Sequence, residues 1–475
     1  MDQSTDTQDV DRGDDFWAPG TVALENFPTS DPNDPLNWTS SRKTLNFGLV
    51  AFYVLMTFIQ LDIGYVAWEQ YQTELGFSVN LLNISAAVNY AGLGIGCALF
   101  IPFVHKYGRR PVYLLSTALQ LGACIWCAVT YTIGDLIGSN LISGLGGAIS
   151  ETIVQITIAD IFFVHDHAAM NGWYLLAAFG GAYLGPVAAG YIVNSQGWRW
   201  IWWWCVILFS VNMVLVIFLF EESKYIPILQ GQAESRHSHP QQAGEGQGDN
   251  TAERSSLKGV ASHSEPTESC DPLDRTRTNI QVDHTIRMKT YRDRLTLITK
   301  TNGSMLHNFY QPAVILFNFP AIAYTAITYG SLLAWWSILA SSEATYLFNP
   351  PYNFTAAGVG LMNIAPFIGI LPAIFVGGYL NDRSIVWLSR RNGGIYEPEM
   401  RLWLALPVAI TTPIGILMFG IGLSYKAPWP LLAAGFGIFG FGLVVAGDIA
   451  LSYAMDSYHD LSSSGSHRGS VGWGC

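Results

Sequence analysis

SAAVNYAGLGIGCALFIPFV, HKYGRRP and VYLLSTALQLGACIWCAVTYTI, read in order from Ser85 to Ile133, place two apolar runs around a short basic connection. Each run is about 20 residues long, which is what an α-helix needs to cross the hydrocarbon core of a bilayer. Between them stand His105, Lys106, Arg109 and Arg110, with Gly108 permitting a tight turn. The same pattern repeats along the chain and predicts ten spans. The first covers Thr44–Trp68, the second Ser85–Val104 and the third Val112–Ile133. The fourth covers Asp135–Phe163, the fifth Ala168–Val193 and the sixth Trp200–Phe220. The last four cover Pro312–Leu339, Ala356–Leu380, Leu402–Tyr425 and Pro428–Met455.

Composition agrees. Half of the 475 residues are hydrophobic and 12% are charged, against about a quarter in a soluble domain. Charges are costly in hydrocarbon, so spans exclude them. The 16 tryptophans suit membrane–water interfaces. The net charge of -11 resides in the first 35 residues and the polar middle, outside the spans, and nothing resembles a nucleic-acid-binding patch. Cys124 and Cys127 form a C-x-x-C inside an apolar run, with no second pair or nearby His, and read as packing. No metal site or cofactor is expected, and GLGIG at Gly92–Gly96 reads as close helix packing because it follows no strand.

Lys and Arg set the orientation. The connections after spans two, four, six and eight hold Lys106, Arg109, Arg110, Arg383, Arg390, Arg391 and Arg401, with eleven further bases between spans six and seven. The opposite side holds Arg199 and Lys426. The positive-inside rule then places the N-terminus in the cytoplasm. The predicted organisation is a cytoplasmic tail over 1–43 and six helices over 44–221. A cytoplasmic linker over 222–310, four helices over 311–460 and a polar tail over 461–475 follow. Within the linker, Gly231 to His284 is too polar to bury a core, while TIRMKTYRDRLTLITK is expected to lie on the inner membrane surface.

A second basic stretch, GGYLNDRSIVWLSRRNGGIYEPEMRL (377–402), follows span eight. There Gly378, Asp382 and Arg383 begin what reads as another short loop, at the matching place in the second half. Paired features of this kind are how many transporters are built. Here the chain resembles the major facilitator superfamily. Its G-x-x-x-D-R-x-G-R-R signature falls on Ile101, His105, Lys106, Gly108, Arg109 and Arg110, with the first Gly and the Asp replaced. The resemblance implies a cytoplasmic latch of charge pairs, resting here on His105 or on Asp382. Gly181, Gly185, Pro186 and Gly190 in span five resemble the G-x-x-x-G-P element of proton-coupled exporters, where span five meets span eight. These glycines are expected on one face of the helix. DPNDPLNW, GWRWIWWW, IADIFFVHDH, LSRRNGGIYEPEMRL and GFGLVVAGDIALSYAMDSY resemble the fungal drug:H+ antiporter branch. That branch has twelve spans, and ten with a six-plus-four split reads as a chain cut short.

Ionisable groups within spans are functional candidates. Glu151 leads: Asn140, Gly144, Gly147, Glu151 and Gln155 share one face of span four, expected to line a wet cavity. Asp62 reads equally as an interfacial residue or a cavity group. Asn318 and Tyr329 on span seven are further proton or substrate candidates, each also compatible with helix packing. Asp160 and Asp456 are expected near the inner interface, pairing with loop arginines. Asn83 and Asn353 head sequons in loops assigned to the outside, and Asn37 and Asn302 head sequons on the inner side.

The expected activity is proton-coupled efflux of small organic molecules by a monomer in the plasma or vacuolar membrane. The expected partners are a small-molecule substrate, protons and the lipid bilayer. Uptake of organic cations or polyamines is the rival transport reading, and a non-transporting sensor or inactive fragment is the rival of another class.

Overall fold

The structure is a computed structural model that describes residues 31–225, 288–299, 305–392 and 397–457. The predicted Gly231–His284 linker, Cys270, Asn302 and the 461–475 tail lie outside them. Among the described residues there is no strand, and ten helices are long and apolar enough to cross a membrane. They run Ser40–Leu75, Val79–Tyr107, Arg110–Ala128, Ile133–Ile161, Ala169–Gln196, Trp198–Leu219, Pro320–Tyr346, Ala356–Arg391, Glu399–Ser424 and Trp429–Ala454. They are spans one to ten below.

Local chemistry sets where these helices start and stop. Thr132 and Asp135 form a reciprocal capping box at the start of span four. Thr355 caps the start of span eight. Gly197 turns between spans five and six with φ +90°.

Three predicted boundaries are corrected. Span seven begins at Pro320, and a separate helix, Met305–Asn318, precedes it. Proline forces the residue before it out of the α region, and Phe319 is extended at φ -115°, ψ 105°. At the other end, span seven runs past Leu339 to Tyr346. Span eight does not close into a basic loop after Leu380. It passes through a π-helical turn at Val376–Leu380 into a helix over Asn381–Arg391, so Gly378, Asp382 and Arg383 lie on helix. Asn83 likewise lies on the span-two helix rather than in a loop.

Small residues set the seams between helices. A Cβ at Gly92 would lie 2.7 Å from the Leu141 carbonyl, and one at Gly96 2.6 Å from Ala148 Cβ, so spans two and four meet at backbone distance. Spans eight and ten meet in the same way through Gly369 against the Gly437 carbonyl and Gly440 against Pro366. Two and four occupy in the first half the places that eight and ten occupy in the second. Side chains larger than a hydrogen would hold these pairs apart and forfeit their contact.

The expected single face of span five is also corrected. Gly181 and Gly185 pack against Leu55 and Ile59 of span one, whereas Gly190 packs against Ala356 and Ala357 of span eight. At about 100° per residue, the nine positions from 181 to 190 carry the helix half a turn round.

Candidate functional site

Span four brings Glu151 to the boundary between the halves. The expected wet face does not extend along the whole helix. Asn140 Nδ2 donates to Ser85 Oγ at 2.6 Å, Gly144 abuts the Asn89 carbonyl, and Gly147 faces Thr57, Leu61 and Leu93. Asn140 also lines a cavity with Gln60, Ser85 and Asn89, and the seam with spans one and two closes at Gly144 and Gly147, whose small size admits another backbone. Glu151 lies beyond it, and the Tyr329 hydroxyl of span seven donates to its Oε2 at 3.5 Å. Two predicted residues, one from each half, are thus brought together. Cys97 of span two and Tyr174 of span five are near enough to feel the Glu151 charge. Gln155 is half-buried one turn further along. Asn318 is not part of this group: it ends the helix before span seven, and its amide donates to the Val314 carbonyl at 2.7 Å.

Two further carboxylates lie toward the end of the molecule assigned to the outside. Asp62 closes the first helical stretch of span one and is 5% exposed, so it is buried rather than interfacial. It lines a cavity with Tyr65, Trp336, Glu343, Asn363 and Pro186. Glu343 is absent from the sequence-predicted candidates because span seven was expected to end at Leu339. It is 2% exposed and accepts a hydrogen bond from Asn363 Nδ2 at 3.2 Å. Its signal was available in the sequence: Trp336, Leu339, Ala340 and Glu343 recur at helical spacing. The Trp336 ring is stacked on Tyr183 of span five, centroids 5.0 Å apart. Nearby, Gly190 abuts the Ala356 carbonyl and Gly360 the Pro186 carbonyl, so spans five and eight touch at this end.

The opposite end carries the basic signature. Arg109 reaches Asp160 of span four through Nε at 2.8 Å and Nη2 at 3.1 Å, the arginine pairing expected for Asp160. Side-chain placement for Asp382 and Asp456 lies outside the described residues. The acid that organises this turn comes from Glu222, just after span six. It accepts from the backbone N–H of Arg109 at 2.9 Å, of Arg110 at 3.1 Å and of Lys224 at 3.0 Å. Gly108 has φ +109°, and a Cβ there would lie 2.5 Å from Glu222 Oε2. Lys224 Nζ donates to the His105, Lys106 and Thr299 carbonyls at 2.7, 3.2 and 2.9 Å. Burial, and then the Arg109 charge, lowers the Lys224 ammonium below its usual range, while Glu222 and Asp160 act the other way. Arg110 donates to the Leu295 and Ile217 carbonyls. The end of the linker, 288–299, is therefore tied to the inner ends of spans two and six.

Ten apolar helices, glycine seams repeated in both halves, and buried carboxylates where the halves meet accompany a direct sequence match. The profile of the Major Facilitator Superfamily matches residues 47–472. The chain belongs to the Major Facilitator Superfamily. It is 34% identical to an uncharacterized MFS-type transporter of Schizosaccharomyces pombe, over 92% of this chain and 77% of that one. It is 30% identical to protein HOL1 of Saccharomyces cerevisiae, over 93% and 80%. It is also 26% identical to the MFS transporter cpaT of Aspergillus oryzae, over 92% and 78%. Among solved structures, the xylose transporter XylE of E. coli in a partially occluded inward-open conformation aligns with a TM-score of 0.52. That alignment covers 88% of this chain and 85% of XylE at 12% identity, a likeness of fold alone. The protein is a multi-pass membrane transporter of this superfamily.

Proposed function

We propose that this superfamily member is a proton-coupled transporter that exports small organic molecules, with Glu151 as its proton site. The observation that carries the reading is the Tyr329–Glu151 contact, 3.5 Å across the boundary of the halves. A carboxylate shared by two moving bodies changes its surroundings whenever they rock, so its protonation and the conformation are linked. Protonated, Glu151 demands no counter-charge. Ionised, it needs a hydrogen-bond donor or a cation, and Tyr329 supplies the donor. The relatives' description as transporters supports the class, and the fungal drug:H+ antiporter resemblance supports the direction. The working location is the plasma membrane.

The test is transport in proteoliposomes with an imposed pH gradient. A panel of neutral and cationic organic compounds should move against the gradient of protons. Glu151→Gln should abolish the dependence on the pH gradient while leaving exchange down a substrate gradient. Coupled transport unchanged in Glu151→Gln would remove the proton role from this residue.

A second reading is uptake of organic cations or polyamines. The observation that favours it is the cavity lined by Asp62 and Glu343, two buried carboxylates with no Lys, Arg or His among the described lining residues. Accumulation of labelled amine against its own gradient, inward rather than outward, would select this reading over export.

A further inference from the structure

A groove of about 470 Å³ runs between spans five and six, which are joined by the Gly197 turn. Its floor is span one, where Leu55, Ile59 and Ile63 stand four residues apart and so in line on one side of the helix. One wall is span five at every fourth residue from Leu176 to Ile192, a length of about 24 Å. The other wall is span six from Ile201 to Leu208. Phe367 of span eight is the one described lining residue from the second half. Leu184, Ala188 and Trp204 are exposed, so the groove is open along its side. Its lining side chains carry no charge, and their one N–H, Trp204 Nε1, is turned to Gln196 Oε1 at 3.1 Å. It shares no lining residue with the cavity of Asp62 and Glu343.

All four helices cross the membrane, so hydrocarbon meets the open side of the groove. Water has no partner to hold it there, and an empty groove forfeits dispersion contacts along its whole lining. We propose that the groove is a binding site for one acyl chain of an outer-leaflet phospholipid. The chain lies along span five, with its headgroup at the Trp204 end. Trp200, Trp203 and Trp204 are exposed there, and amphipathic rings of this kind collect at headgroup level. Small residues at 180 and 188 recess the wall, so the chain sinks below the surface and touches three helices at once. The room is real at Gly180: a Cβ there would meet only Leu55 Cδ1, at 4.0 Å. Phe367 gives the chain a contact with the second half, whereas the floor and both walls belong to the first. A chain touched by both halves adjusts when they rock, so its occupancy and the conformation are linked. The proposal goes beyond the transport reading and is independent of what is carried.

The experiment is native mass spectrometry of the purified full-length chain in detergent. Dioleoylphosphatidylcholine, dioctanoylphosphatidylcholine and ergosterol are added separately and in competition, and the lipid retained after washing is counted. The wild type should retain one dioleoyl phospholipid, and the short-chain dioctanoyl lipid about tenfold less. Ala188→Phe and Gly180→Leu put side chains into the groove and should each lower retention by about tenfold or more. Phe367→Ala removes the contact from the second half and should lower it by about threefold. Val214→Phe adds the same kind of bulk to an exposed position of span six outside the groove, and should retain lipid as the wild type does. If Ala188→Phe does not fold, Gly180→Leu and Phe367→Ala read the same groove. Equal retention in Ala188→Phe, Gly180→Leu and Val214→Phe would mean lipid held anywhere on the surface and would overturn the proposal. So would a wild type that retains no phospholipid, or ergosterol that displaces it and makes the groove a sterol site. Undiminished retention in Phe367→Ala would overturn the link between the chain and the second half.

Discussion

The stretch after span two and the stretch after span eight look alike in sequence and differ in structure. After span two the helix stops at Tyr107, turns at Gly108 with φ +109°, and is clasped by Asp160, Glu222 and Lys224. After span eight the helix runs on to Arg391, Gly378 has nothing near its Cβ position, and Arg383 is exposed. The two stretches share a register in which Ile101, His105 and Lys106 stand opposite Gly378, Asp382 and Arg383, and that register specifies neither a turn nor a clasp. The turn exists in the first half because carboxylates from spans four and six are there to receive its N–H groups and guanidinium. In the second half Ile385 stands where Gly108 does in the first, and the helix runs on to Arg391.

Paired substitutions test that contrast, the largest effect first. Arg109→Gln leaves the half-buried Asp160 with Ser223 but without its bidentate partner and should cost about 2–3 kcal/mol, read as a fall in the unfolding temperature of the purified protein. Arg383→Gln should stay within about 0.5 kcal/mol, as an exposed position does. Equal losses would mean that the two ends are alike after all. Gly108→Ala must place a Cβ on Glu222 at a positive φ and should cost about 1–3 kcal/mol. Gly378→Ala, in helix and open space, should be neutral or stabilise by about 0.5–1 kcal/mol, and a clear loss there would contradict the contrast. Glu222→Gln keeps the shape but weakens three acceptor contacts, for an expected loss of about 1–2 kcal/mol. Its second readout is faster proteolysis within 288–299, because a loosened turn no longer positions the backbone N–H of residue 222 that donates to the Arg294 carbonyl. The smallest change is Tyr291→Phe, which removes one exposed hydrogen bond to the Phe218 carbonyl and should cost about 0.5 kcal/mol.

The spans were legible because hydrocarbon imposes one rule on every residue within it, and that rule leaves a local trace. Glu151 was legible for the same reason: a carboxylate in the middle of an apolar run is conspicuous. Glu343 was missed despite its helical spacing from Trp336, Leu339 and Ala340, because the serines at 341 and 342 and the glutamate itself resemble the end of a span rather than its continuation. Its burial depends on Asp62, Asn363 and Trp336 closing round it, and those residues are distant in sequence. Glu222 escaped notice on similar grounds. A glutamate after a span reads as solvated until Gly108 is folded against it. The seam along Gly144 and Gly147 was placed on the right face of span four but given the wrong neighbour. Periodicity identifies which residues share a side and says nothing of whether water or another helix meets them.

Span five is held by two different bodies along its length. Gly181 and Gly185 lock it to span one, and Gly190, half a turn round, rests on span eight. Between them stands Pro186, whose missing N–H leaves the Ala182 carbonyl without its usual helical donor, so bending there is cheap. A rod gripped by span one at Gly181 and Gly185 and touching span eight from Pro186 to Gly190 is expected to act as a lever with its fulcrum at Pro186. A few degrees of flexure at that joint are expected to become a displacement of the tip, at the place where Gly190 meets Ala356.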